Sequence, residues 1–143
     1  MMASMILIRF LFALFSALIS GADIKTLAVP RMAFIIAFPF FIILKALLYK
    51  EDLLLESVSG VLAGLIVFLL AWFFSGKRLG LADVWFSSLI GLVLGPWWWY
   101  AAIGLSCVAG AIYIMAVKGR QIPFIPCMAF GSIVISILEG FLR

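Results

Sequence analysis

Residues 84–117 run for 34 positions without a single charged side chain. As one helix this run would measure about 50 Å, whereas the hydrocarbon core of a bilayer is only about 30 Å thick. The run therefore has to cross twice. Gly95-Pro96 is the natural place to turn, because proline has no amide to continue a helix and glycine accepts the backbone angles of a reversal. The cluster Trp97-Trp98-Trp99-Tyr100 that follows suits the aromatic belt at a membrane surface.

The rest of the chain has the same character. Of its 143 residues 68% are hydrophobic and 11% charged, against about half and about a quarter in an ordinary soluble domain. Breaks in the apolar pattern leave six segments, near 5–20, 32–49, 57–75, 79–95, 97–117 and 121–138. Backbone polar groups in lipid must be satisfied within the segment, so these are helices. The expected fold is an all-α polytopic membrane protein, a bundle of about six transmembrane helices, with 1–143 as one integral-membrane domain. A formal charge of +4 comes from basic residues placed in ones and twos between apolar runs. They read as topology signals and not as a nucleic-acid surface. The chain has no histidine, and Cys107 and Cys127 stand apart in apolar segments. This argues against a zinc site, a haem or a Cys-His nucleophile, so no metal and no cofactor are expected.

Loop charge sets the orientation. The first, third and fifth connections carry Lys25 and Arg31, Lys77 and Arg78, and Lys118 and Arg120, six of the ten basic residues. The second has Lys45 and Lys50, offset by Glu51, Asp52 and Glu56, and the fourth has none. Basic loops are retained inside, which places the odd connections in the cytoplasm and the N-terminus outside. The N-terminal stretch, with Arg9, the apolar "FLFALFSALI" and then "SGA", also resembles a secretory signal peptide. Cleavage there would turn all three basic connections outward, so the loop count favours a retained first span.

Two acids fall inside this frame. Asp23 follows the first apolar segment, and Asp83 opens the run "DVWFSSLIGLVLG". Only twelve residues separate Asp83 from Gly95, about 18 Å of helix, which puts Asp83 within the membrane boundary. Intramembrane carboxylates cost several kcal/mol and mark function by default. Both lie in the same, cytoplasmic, leaflet and can meet there.

The segments around them, "DIKTLAVPR" and "GLADVW", with "IPFIPCMAFG" near the C-terminus, resemble the motifs of the prepilin peptidase family, the GxGD-type intramembrane aspartic proteases. In "DIKTLAVPR" the matching residues are Asp23, Ile24, Lys25 and Pro30, with Arg31 where the family has asparagine. In "GLADVW" they are Gly80, Asp83 and Val84, with Ala82 in place of a second glycine and Trp85 in place of lysine. "IPFIPCMAFG" resembles the family's Ile-Pro-Phe-x-Pro segment and supplies Pro123 and Pro126. The resemblance implies a short, peptidase-only form without the zinc-binding and N-methyltransferase region of larger members. It further implies catalytic Asp23 and Asp83, a prepilin-like protein substrate, and removal of a short basic leader at the cytoplasmic face of the inner membrane. Gly80, Ala82, Lys25, Pro30, Pro123 and Pro126 are then motif or substrate-supporting positions.

Each residue also has a plainer reading. Asp23 at a helix end can pair with Lys25, and Asp83 can cap its helix or pair with Arg78. The prolines suit helix starts. Two alternatives stand beside the peptidase: a non-catalytic relative that binds pilin-like substrates or assembly partners, and a small proton-coupled transporter. A transporter calls for polar residues at mid-membrane depth, where these segments offer only a few serines.

Overall fold

The computed structural model describes residues 2–48, 51–117 and 123–142, with side chains over 3–48, 54–117 and 123–142. Lys50, Lys118, Arg120, Gln121 and Ile122, and the side chains of Glu51 and Asp52, therefore lie outside the described residues. Among the described residues five helices succeed one another: α1 (Met2–Thr26), α2 (Arg31–Leu48), α3 (Glu51–Phe74), α4 (Leu81–Val117) and α5 (Phe124–Leu142). All five are long and apolar enough to cross a membrane.

The two segments expected on either side of Gly95 are limbs of one element. Gly95 has φ 80° and ψ 174°, far from helical, and α4 breaks there into limbs 81–94 and 96–117. The limbs fold back on each other. The Trp99 indole N–H reaches the Ser87 carbonyl at 3.1 Å and its hydroxyl at 3.0 Å, whereas residues twelve apart on a straight helix are about 18 Å apart.

The break leaves a carbonyl to satisfy. The Leu92 oxygen would normally accept from the amide four residues on, and that residue is Pro96. Lys45 takes the place of the amide, its Nζ donating to Leu92 O at 2.7 Å and to Ser57 Oγ at 2.7 Å. Lys45 is thus not the loop charge expected from the sequence but a buried residue in the last turn of α2. Glu56, expected in the second connection, likewise lies within α3, which starts at Glu51 and not near Ser57.

Helix ends position the remaining parts. α1 runs past Gly21 to Thr26, so Asp23 sits in its last turn and not beyond it. Leu27, at φ 50°, ends the helix by donating its N–H to the Asp23 carbonyl at 2.8 Å. α3 ends in a Schellman motif: Gly76, at φ 64°, donates to Phe73 O, and Lys77 donates to Trp72 O.

Close packing rests on small residues, as expected where lipid supplies no hydrophobic drive between helices. A Cβ on Gly60 of α3 would overlap the Gly91 carbonyl of α4, and one on Gly64 would come within 2.7 Å of Ser87 O. Gly131 of α5 sits equally close to Ala102 and Ser106 of α4. α1 is tied to α5 by Arg9, whose guanidinium meets Glu139 at 2.8 Å and the Ser136 carbonyl at 3.2 Å. At the centre, the Phe12 ring stacks on Phe86 at 6.2 Å and meets Phe41 edge-on at 6.0 Å.

Candidate active site

With the two limbs of α4 counted separately, successive helical segments alternate in direction, so the end of α1, the start of α2, the end of α3 and the starts of α4 and α5 share one end of the bundle. Asp23 and Asp83 are both there. They are buried, at 8% and 9% exposure, and near enough for the charge of Asp23 to bear on Asp83.

Local structure holds the two carboxylates differently. Asp83 is the third residue of α4, and its Oδ2 accepts the Gly80 N–H at 3.2 Å, satisfying one of the donors that a helix start leaves open. The plainer reading of Asp83 as a cap therefore holds, and it engages one oxygen. No ion pair links Asp83 to Arg78 among the described residues. Gly80 has a definite role here: a Cβ would lie 3.2 Å from Asp83 Oδ2. Its lack of a side chain lets the carboxylate fold back over the helix start.

Asp23 has no comparable structural use. It lies in the last turn of α1, where the helix dipole disfavours a negative charge. It is not paired with Lys25, which is exposed. Its Oδ2 is buried without a hydrogen-bond partner among the described residues. Among the described residues the backbone N–H of Ile125, in the first turn of α5, lies near this carboxylate. That amide is free because the first turn of a helix has no internal acceptors for its amides. Sequence reasoning did not single out Ile125, although the proline-bounded start of α5 was visible.

The three prolines and Ala82 of the motifs lie at helix starts or in helical backbone. Pro30 accepts the Ala33 N–H at 3.0 Å and opens α2. Pro123 immediately precedes α5, and Pro126 occupies its first turn, where a missing amide costs nothing. Ala82 lies in helical backbone within α4 and not at positive φ, so its methyl group meets no conformational penalty. The two remaining departures from the family pattern come together: Arg31 and Trp85 line one cavity with Phe34, Ile35 and Phe38. A larger hollow, about 420 Å³, lies at the other end of the bundle beside Arg9 and Ser136 and does not involve the acids.

The description of the type IV leader peptidase family matches residues 10–115, a span that includes both aspartates. The chain belongs to the type IV leader peptidase family. Membership makes it, in general terms, a leader peptidase of the aspartic type with prepilin-like substrates, set in a multi-pass membrane bundle. The proline-flanked start of α5 falls outside the matched residues. No curated protein and no solved structure matches the chain.

Proposed function

We propose that the protein is an intramembrane aspartic endopeptidase that removes the short basic leader of a prepilin-like protein, with Asp23 and Asp83 as the catalytic pair. The observation that supports this reading is a pair of buried carboxylates brought from separate helices to one end of the bundle, near enough for one charge to bear on the other, with one oxygen that no donor among the described residues satisfies. Buried polar atoms are almost always paired, so such an oxygen calls for a functional explanation.

Two neighbouring carboxylates cannot both ionise cheaply and share one proton. The ionised member takes a proton from water as the water oxygen bonds to the scissile carbonyl carbon. The protonated member donates to the carbonyl oxygen. When the tetrahedral intermediate collapses, the C–N bond breaks and the leaving amine takes up the proton drawn from water. The pair titrates as a unit, so neither role belongs to one residue alone. In this arrangement the Gly80 amide steadies Asp83, and the Ile125 amide offers a donor beside Asp23.

The cytoplasmic face is supported by charge. Among the described residues, Lys25, Arg31, Lys77 and Arg78 stand exposed at the end of the bundle that holds the pair, and the only acids there, Asp23 and Asp83, are buried. Such an end is retained in the cytoplasm.

The test is cleavage of a pilin-like substrate by the protein in bilayers. Asp23→Asn and Asp83→Asn should each abolish nearly all leader removal while inserting normally, and the double variant should be no worse than either. Substantial activity in either single variant rejects the pair. Binding without cleavage by the wild type favours the non-catalytic reading.

A further inference from the structure

Trp85 follows Asp83 by two residues, which on a helix turns its side chain about 200° away. Asp83 is accordingly buried and Trp85 is 45% exposed on the outer side of the bundle. There the indole meets Phe38 of α2 edge-on at 5.9 Å. With Phe34, Ile35 and Arg31 it lines a cavity of about 220 Å³ between α2 and α4. The floor is rigid, since Phe34 is buried and packs on Phe86 at 6.5 Å. Arg31 is exposed, with no hydrogen bond or ion pair among the described residues. The result is an unpaired guanidinium beside an aromatic slot that faces lipid.

We propose that this slot binds an anionic phospholipid. The Arg31 guanidinium holds the phosphate, for which its planar fork of donors is suited. The glycerol and the first methylenes of an acyl chain lie against Ile35, Phe38 and Trp85, with Phe34 beneath. Aromatic rings at this depth serve both the apolar chain and the polar boundary. An anionic lipid is favoured over a zwitterionic one because a headgroup ammonium would add another cation to an end already carrying exposed Lys25, Lys77 and Arg78. A peptide is disfavoured because the slot lies on the side of α4 turned away from Asp83.

The experiment uses the full chain in nanodiscs and reads tryptophan quenching by brominated phosphatidylglycerol against brominated phosphatidylcholine. The wild type should show about a fivefold preference for the anionic lipid, the ratio that corresponds to about 1 kcal/mol for one cation at a charged surface. Arg31→Gln should remove the preference and Arg31→Lys should keep most of it. Trp85→Phe should remove the headgroup-sensitive part of the quenching, leaving the part due to the other four tryptophans. Glycerol phosphate without acyl chains should not displace the lipid. Equal quenching by both lipids overturns the proposal, as does a preference that survives Arg31→Gln. Displacement of the lipid by a pilin-like peptide, with a raised KM in Arg31→Gln, assigns the slot to substrate and also overturns it.

Discussion

Two residues separated by one leucine make opposite predictions about "GLAD". Gly80 faces the Asp83 carboxylate so closely that a methyl group would sit 3.2 Å from Oδ2, tighter than ordinary packing. Gly80→Ala should therefore shift the carboxylate and lower cleavage about tenfold with little change in stability. Ala82 lies in regular helix, where glycine is about 1 kcal/mol worse than alanine. Ala82→Gly should cost roughly that stability and change cleavage less than about threefold, within 0.7 kcal/mol of barrier. An inert wild type restored by Ala82→Gly would overturn this assignment. The acids themselves differ in the same way. Asp23 is a buried carboxyl group at the end of a helix where negative charge is disfavoured, so Asp23→Asn should leave the protein as stable as the parent or up to about 1 kcal/mol more stable while abolishing cleavage. Asp83 caps α4, so Asp83→Ala should lose about 1 kcal/mol along with activity. Unfolding measured in mixed detergent micelles separates these outcomes, and a clear loss of stability in Asp23→Asn would count against a purely functional role.

Among the helices, the limb that carries Asp83 is set by what holds the break at Gly95. Pro96 denies the Leu92 carbonyl its amide, and Lys45 reaches across from α2 to supply a donor. Removing that donor leaves a buried carbonyl unsatisfied, which costs about 1–3 kcal/mol. Lys45→Met should thus lower unfolding stability by at least that amount even though it makes the helix more apolar. A variant as stable as the parent would show that Leu92 finds another partner. The break was legible in the sequence because a 34-residue uncharged run cannot be one span and Gly-Pro is the natural place to turn. The partner of Leu92 was not, because Lys45 is 47 residues away and resembles a loop charge until α2 and the α4 limb are packed together. Arg9 and Glu139 escaped in the same way: each interrupts an apolar run, and only the meeting of α1 with α5 turns them into a pair.

Over the whole molecule, charge divides the two ends of the bundle, and this fixes where probes should react. Cysteines introduced at Thr26 and Ser75 should be labelled only by reagent that reaches the cytoplasm, and one at Ser59 should react from outside. Ser57 is unsuitable for the outer probe because it is buried against Lys45. The reverse pattern would place the aspartate pair outside and remove the support for a cytoplasmic cut. The all-helical membrane architecture, the turn at Gly95-Pro96 and the candidacy of Asp23 and Asp83 follow from sequence alone. Each depends on local chemistry: the length of a bilayer span, the missing amide of proline, and the cost of a carboxylate in lipid. Tertiary structure alone decided which groups face those acids. It set the first turn of α5 near Asp23, assigned Gly80 to Asp83, and gathered Arg31 and Trp85 into one slot. Those relations depend on the rotation and depth of each helix against its neighbours. These are set by close contacts such as Gly60 on Gly91 and Gly131 on Ser106, which join residues far apart in the chain and leave no periodic trace within it.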